Sequence, residues 1–196
     1  MKAALGLIAA VALLAVPGCA EDDAPGGVAT GEGYRVVLPE GWEQQSAESL
    51  ARLAIEARVG ERIDSIWVRS DRLEGFQPNV NVVTGEAPPG SGPRALAAST
   101  RRALRDQAAI ESRALEDEVN VALVGPLRRT GLGGEVAYEF EFRNDTQTFA
   151  GELEQRQLVT VRRGRVYVVT LSAREGSFEQ VEPDFERILE SWSWRS

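Results

Sequence analysis

Apolar residues recur along this chain with the two periods of regular secondary structure. Runs rich in apolar residues, some of them alternating with polar neighbours, predict strands at 34–38, 63–70, 78–84, 121–129, 135–143, 149–162 and 166–172. Spacings of three and four predict a helix at 93–112, opened by a proline, and a closing helix near the end of the chain. The apolar stripe of the closing helix consists of Phe185, Ile188, Leu189 and Trp192. The pattern is that of a mixed α and β domain.

Residues that favour turns and helix starts separate these elements. The predicted turns lie at 39–41, 71–75, 131–134, 144–145 and 163–164. Ser177 and Gln180 fit a capping box ahead of the closing helix, and Pro183 is expected to begin its regular part. Residues 46–59 fit an amphipathic helix, but their alternation also fits a strand, and both interpretations stay open.

The two last predicted strands are apolar on both faces. A strand with this pattern lies in the middle of a sheet that is covered on both sides. The sequence therefore predicts helices on each face of a central sheet.

The first apolar run points to export. Residues 3–16 follow the positive Lys2 and end in Pro17 and Gly18, directly ahead of Cys19. The run is shorter than the roughly 20 residues of a membrane helix, and it has the layout of a removable signal. Cleavage before Cys19 would leave this residue at the N-terminus, with a diacylglyceryl group on its thiol. The two acyl chains of that group are enough for stable attachment to a membrane. An ordinary secretory cleavage nearby and an uncleaved anchor are the alternatives.

This layout predicts a lipoprotein signal peptide at 1–18, a flexible acidic tether at 19–33 and a single globular domain at 34–196. Glycine, proline, alanine and acids dominate the tether and cannot bury a core. The remaining length suits one domain with a core of its own. The protein is thus expected on the outer face of the cell membrane, attached through its N-terminal lipid.

Composition excludes most catalytic chemistry. The chain has no histidine, its formal charge is −8, and once Lys2 leaves with the signal every side-chain cation is an arginine. Ser-His-Asp and Cys-His catalysis need an imidazole, and Schiff bases need an amine. Zinc and haem sites need His or Cys. We therefore expect no catalytic residue, metal or cofactor, and the negative charge argues against nucleic acid as a partner.

Carboxylate chemistry survives this exclusion. Glu116, Asp117 and Glu118 lie in a predicted loop whose spacing matches no EF-hand, and a solvated loop is the favoured interpretation. Glu139 and Glu141 alternate with aromatic residues and are expected to face solvent or to pair with arginines. A carboxylate-based hydrolase therefore ranks last among the functional hypotheses.

Four residues suggest a binding surface. Trp67 belongs to the core if a helix covers its face of the sheet, and otherwise it would anchor a binding surface. Asn79 and Asn81 share one face of the next strand, and Phe76 lies in the loop before it. Together they could line a shallow groove.

Three arginines form a basic patch on the predicted helix at 93–112. Arg101, Arg102 and Arg105 could meet anionic lipid heads or an acidic partner. Nearby acids dilute the charge, so a plain solvated helix face is the favoured interpretation.

Three segments of the sequence resemble PsbP-like domains. Residues 34–42 (YRVVLPEGW) resemble their opening strand and turn, 164–171 (GRVYVVTL) a late central strand, and 185–192 (FERILESW) the closing helix. The order also fits, over 34–194. The chain is similar in particular to actinobacterial lipoproteins of the LpqN-like type.

The resemblance implies an α+β fold with a mainly antiparallel sheet sandwiched between helices. Members of this superfamily are mostly accessory subunits, import factors and envelope lipoproteins, so it implies no enzyme and transfers no catalytic residue. Photosystem members bind metal partly through histidine, which this chain lacks. The first hypothesis is a non-catalytic, lipid-anchored binding or accessory domain for an envelope protein. The alternative is a carrier or sensor of an amphiphile such as an envelope glycolipid.

Overall fold

The structure is a computed structural model that describes residues 26–46, 62–114, 125–146 and 151–196. The described chain contains two helices, α1 (Pro93–Ala114) and α2 (Phe178–Glu190). Its strands are β1 (Gly27–Gly31), β2 (Tyr34–Leu38), β3 (Trp42–Gln44), β4 (Arg62–Arg69), β5 (Asn79–Glu86), β6 (Arg128–Leu132), β7 (Glu135–Thr146), β8 (Gly151–Arg162), β9 (Arg165–Arg174) and β10 (Ser193–Trp194).

The strands form a large and a small antiparallel sheet. The seven-stranded sheet has the order β3-β4-β5-β9-β8-β7-β6, and the three-stranded sheet has the order β1-β2-β10. Strands β8 and β9 are buried along most of their length. This confirms the prediction, made from their two apolar faces, that they lie in the middle of a covered sheet.

One face of the large sheet carries α2 and the small sheet. The buried stripe of α2 includes Val181, Phe185 and Ile188, and it packs in one core cluster with residues of both sheets. At the centre of this cluster the ring of Tyr34 stacks on Trp192 at a centroid distance of 4.2 Å. The helix α2 and the small sheet therefore cover this face together.

The opposite face carries α1. Leu96 and Ala97 from the first turns of α1 pack in a second cluster with Val83, Val159 and Val168 of the large sheet. The architecture is thus a mainly antiparallel α+β fold, as predicted.

The predicted tether extends too far. Residues 27–31 form β1, which pairs with β2 from Gly27 opposite Leu38 to Gly31 opposite Tyr34, and Ala29 is buried. Hydrogen bonds to a strand that is already fixed in the core order a segment whose composition alone does not favour a strand. The ordered domain therefore begins ahead of Tyr34.

Two predicted boundaries around β7 are wrong. Of the strand expected at 121–129, residues 121–124 lie outside the described residues, and the described strand runs from Arg128 to Leu132, so the turn lies at Gly133 and Gly134, both with positive φ. The turn expected at 144–145 is strand, because β7 stays paired with β8 as far as Thr146. A long ladder of backbone hydrogen bonds outweighs the local turn preference of Asn and Asp.

The start of the closing helix also differs from the prediction. Ser177 precedes α2, but its side chain makes no capping hydrogen bond, so there is no capping box. Pro183 lies inside the helix rather than at its start, since the buried Phe178 and Val181 already pack the first turn onto the core. Residues 47–59 of the segment with two interpretations, and 116–118, lie outside the described residues.

Candidate functional site

The face of the large sheet that carries α1 contains a buried polar area. In β5, β9 and β8, residues Val83, Val168 and Val159 lie in the core cluster of this face, and the alternate positions along each strand share it. Pairing brings six of these positions together as two adjacent rows, which we call the polar ladder: Asn79–Ser172–Gln155 and Asn81–Thr170–Gln157. All six residues are buried. Helix α1 packs over this side of the sheet, against β7 and β8.

Each row of the ladder contains a hydrogen bond between β8 and β9. Gln155 donates from Nε2 to Oγ of Ser172 at 2.8 Å, and Gln157 donates from Nε2 to Oγ1 of Thr170 at 3.1 Å. Asn79 donates from Nδ2 to the carbonyl oxygen of Gln77 at 3.3 Å. These bonds orient the amide groups across the sheet.

Four side-chain atoms of the ladder have no hydrogen-bond partner among the residues that the structure describes. They are Oδ1 of Asn79, Nδ2 of Asn81, Oε1 of Gln155 and Oε1 of Gln157. A buried polar atom without a partner costs about 1–3 kcal/mol, so the four together cost about 4–12 kcal/mol if nothing bonds to them. Buried polar groups in proteins nearly always have a partner. Other buried atoms without one, namely Nε1 of Trp67 and of Trp192 and Oγ1 of Thr84, lie on the α2 side of the sheet. The ladder differs from them because its four free amide atoms lie in two adjacent rows, and it is therefore the candidate binding site.

Apolar side chains flank the ladder on both sides. Ile66 pairs with Asn81 in the neighbouring strand β4. On the other side, Phe140 pairs with Gln157, and its ring lies 5.8 Å from that of Phe142 between centroids, at an interplanar angle of 36°. The residues of the ladder and of these flanks include no ionisable side chain.

The sequence-predicted groove is not formed as expected. Asn79 and Asn81 do share a face and both belong to the polar ladder. Trp67 pairs with Val80, however, and lies fully buried in the core cluster on the opposite face. Phe76 is half-buried in the turn before β5, where its backbone bonds to Leu73. From sequence alone the burial of Trp67 stays open, because it depends on what covers its face of the sheet.

The predicted basic patch is divided by the structure. Arg101 is half-buried and donates from Nε to the carbonyl oxygen of Gly125 at 2.7 Å. Arg102 and Arg105 are exposed on α1. One of the three arginines therefore fastens the segment after α1, and the other two lie on an exposed helix face.

The described carboxylates of β7 are engaged by arginines. Glu139 accepts hydrogen bonds from Arg156 at 2.7 and 3.1 Å, and Glu141 pairs with Arg128 at 3.4 Å. Pairing with arginines across the sheet is one of the two arrangements expected from sequence. Among the residues in the described ranges, no cluster of three or more His, Cys, Asp or Glu side chains could hold a metal ion.

A second polar cluster, on the α2 side of the sheet, closes the β1–β2 hairpin. The Tyr34 hydroxyl donates to Asp64 at 2.7 Å, and the same carboxylate accepts the backbone N–H of Glu32 at 3.1 Å. Burial raises the pKa of Tyr34, and the charge of Asp64 raises it further. Sequence reasoning missed this cluster, but its hydroxyl and carboxylate are already paired, so its role is to fix the hairpin.

Gln155 and Gln157 were also missed, although a signal was present. Both glutamines occupy the same face of β8 as the buried Leu153 and Val159. Two amides at inward positions of a central strand are unusual, because such positions normally carry apolar residues. That pattern could have pointed to a buried polar site.

Cys19 lies outside the described residues, so its acylation stays a prediction. None of the helices in the described chain is long and apolar enough to cross a membrane.

Known structures share this fold at low sequence identity. The chain is similar to cyanobacterial PsbP (CyanoP) of Synechocystis sp. PCC 6803, with a TM-score of 0.55 and 18% identity, over 93% of this chain and 99% of that one. The Ran-binding protein Mog1p of Saccharomyces cerevisiae gives a TM-score of 0.50 and 10% identity, over 83% and 90%. LpqN of Mycobacterium tuberculosis, involved in cell envelope biogenesis, gives 0.49 and 13%, over 88% and 86%.

Among curated proteins nothing matches. The family model of PsbP, in contrast, matches residues 28–194. That span begins inside β1 and ends with β10, so it includes both sheets and both helices. The predicted resemblance is confirmed, and the chain belongs to the PsbP family.

Proposed function

We propose that this protein is a non-catalytic binding domain, tethered by a lipid on Cys19 to the outer face of the cell membrane. The observation that carries the binding role is the polar ladder, where four buried amide atoms lack a partner among the described residues. Such groups recognise a ligand without transforming it, because neutral amides are neither nucleophiles nor proton donors at neutral pH.

The composition supports binding rather than catalysis. The chain lacks histidine, and the carboxylates that could act as an acid–base pair on β7 are held by arginines. Glycoside hydrolysis needs two carboxyl groups that are free to exchange protons across a cleft. Glu139 and Glu141 do not meet that requirement.

The tether brings the ordered domain close to the membrane. Residues 20–26 separate Cys19 from β1, and an extended chain spans at most about 3.5 Å per residue, so β1 would begin within about 28 Å of the acylated residue. Val28 and Val37 are cross-strand partners on the outer face of the small sheet and are 60% and 48% exposed. This apolar pair, close to the anchor, suits a domain that rests near lipid headgroups.

Two kinds of partner fit this proposal. An envelope protein would dock on the surface, and an amphiphile would enter beneath a helical cover. The second candidate is favoured by the buried position of the ladder, since a protein that docks on the surface does not reach amides that are buried. In this arrangement the sheet is sandwiched between helices, with α1 on the face that carries the ladder.

Acylation and partner can be tested on the native protein. Cells grown with labelled palmitate should label the wild-type chain and leave Cys19→Ala unlabelled. The acylated protein, extracted gently from its own membranes, should carry a co-purifying lipid or partner protein, identified by mass spectrometry against the Cys19→Ala chain as the control. Label on Cys19→Ala, or wild-type protein in the cytosol with an intact leader, would refute the anchored role. Extraction with neither ligand nor partner would refute the binding role.

A further inference from the structure

The free atoms of the polar ladder determine what kind of group could bind there. Three are acceptors, Oδ1 of Asn79 and Oε1 of Gln155 and Gln157, and one is a donor, Nδ2 of Asn81. A hydroxyl group both donates and accepts hydrogen bonds. A ligand with several neighbouring hydroxyls could therefore satisfy all four atoms, whereas a group that only accepts could satisfy just one.

The lack of charged side chains in the ladder and its flanks narrows the class of possible ligands further. The six residues of the ladder are amides and hydroxyls, and their neighbours in β4 and β7 are Ile66, Val68, Phe140 and Phe142. A charged group bound here would lose its hydration and find no opposite charge among these residues. Phosphate, sulfate and carboxylate headgroups are therefore disfavoured.

The dimensions and flanks fit a sugar ring. Strands in a sheet lie about 4.8 Å apart, and alternate residues along a strand about 6.7 Å apart, so the ladder across β5, β9 and β8 measures about 10 Å by 7 Å. This is the footprint of a mono- or disaccharide. The aromatic rings of Phe140 and Phe142 lie beside it and could pack against the C–H face of a sugar or against an acyl chain.

We infer that the polar ladder binds the uncharged, polyhydroxylated headgroup of an amphiphile, with hydroxyls bonded to the free amide atoms of β5 and β8 and apolar parts against the aromatic flank. This inference rests on the proposed binding function, because it names the ligand class of that same domain. The six ladder residues are buried, so entry of the ligand would require the residues that cover this face to move.

Headgroup probes test the ligand class without detergent. Acylated full-length protein in nanodiscs is titrated with the methyl β-glycosides of glucose, galactose and mannose, and binding is measured by saturation-transfer NMR. The controls are methyl β-D-glucuronide, which has the same ring with a carboxylate, and cyclohexanol, which has the ring shape with one hydroxyl. At least one methyl glycoside should bind at least tenfold more tightly than either control. Equal or tighter binding of the glucuronide, or no binding of any glycoside, would overturn the inference.

Variants locate the binding at the ladder. Gln157→Met with Thr170→Val removes a free acceptor together with the hydrogen bond beside it, so no new unpaired group is created. Binding should weaken at least tenfold, and the melting temperature of the unliganded protein should stay the same or rise. The matched control is Thr84→Val, since Thr84 also has a buried hydroxyl without a partner but pairs with Tyr167 on the opposite face. This control should leave binding unchanged.

A second variant keeps the test decisive if the first does not fold. Gln155→Met with Ser172→Ala makes the same change in the other row. Unchanged sugar binding in a folded ladder variant, or equal loss in Thr84→Val, would refute the location. The palmitate labelling and co-purification experiments do not depend on sugar binding. An anchored protein with a co-purifying partner but no sugar affinity would therefore leave the proposed function standing and reject only this inference.

Discussion

Replacing Arg156 with methionine should reduce the free energy of unfolding by about 3 kcal/mol. Arg156 projects from β8 toward α2 and is only 9% exposed. It donates to Glu139 at 2.7 Å, to Glu186 at 2.5 Å and to Glu182 at 3.2 Å. Burial lowers the pKa of Arg156, but the hydrogen bonds and charges of Glu139 and Glu186 outweigh it, so the net pKa is raised. The charged arginine thus fastens the closing helix to the sheet.

The magnitude follows from the burial of each carboxylate. The side chain of Glu139 is 12% exposed, so it would remain buried without a counter-charge, and breaking a buried pair in this way costs about 3–5 kcal/mol. Glu182 and Glu186 are 43% and 45% exposed and would regain water, so each adds at most about 1 kcal/mol. Methionine retains the apolar stem against Phe185 and limits the packing loss. The low end of the range, about 3 kcal/mol, is therefore expected.

Urea denaturation followed by tryptophan fluorescence measures the effect. A loss of about 3 kcal/mol corresponds to a melting temperature lower by about 6–12 °C for a domain of this size. Arg128→Met is the control, because its pair with Glu141 is exposed and should be worth less than about 1 kcal/mol. Adding Glu139→Gln to the Arg156 variant should recover more than about 1 kcal/mol of the free energy of unfolding, because it removes the buried charge that has lost its partner. A loss below about 1 kcal/mol in the Arg156 variant would refute the reasoning.

Three further predictions concern the small sheet. Gly31→Ala would place a carbon in collision with the ring of Tyr34 and the carboxylate of Asp64 and should cost about 1–3 kcal/mol in thermal melts, whereas Gly27→Ala, with nothing within 4 Å, should change stability little. Because burial raises the pKa of Tyr34 above 10.0, the folded chain keeps a proton that the unfolded chain releases, so stability should fall as the pH rises past 10. Tyr34→Phe should flatten that fall in denaturation curves, and an unchanged slope would count against it. A fluorophore on Val37→Cys of the acylated protein should be quenched by nitroxide lipids more than one on Val136→Cys, on the other face of the large sheet, and equal quenching would contradict a membrane-facing small sheet.

Most of the large sheet could be predicted from sequence because its strands carry their own periodic signal. Strand β9 reads as apolar on both faces and lies mid-sheet, and the closing helix has its stripe where the spacing indicates. Strand β1 could not be found in this way. Its sequence, GVATG, contains two glycines and buries only Ala29, so its order comes from pairing with β2 rather than from its own composition.

The candidate site was predictable only in part, because it depends on which strands become neighbours. Asn79 and Asn81 could be assigned to one face from their alternation alone. Their partners in β9 and β8 are distant in sequence, and strand β5 meets β9 across the intervening α1, β6, β7 and β8. Only that register sets the amides of Gln155 and Gln157 in line with the asparagines. Trp67 shows the same limit, since its face follows from its pairing with Val80.

An alternative role for the polar ladder is to fix the register of the central strands. Its hydrogen bonds argue against this role. A register device stabilises one pairing by satisfying its polar groups mutually, whereas here each glutamine uses its amide donor and leaves its acceptor without a partner among the described residues. The next row of the same face, Val83–Val168–Val159, shows that apolar residues fit this sheet at no such cost. Residues that lower the stability of a protein at one buried place usually have a function there. The acceptors that the protein itself leaves unpaired are therefore the groups to test first with a ligand.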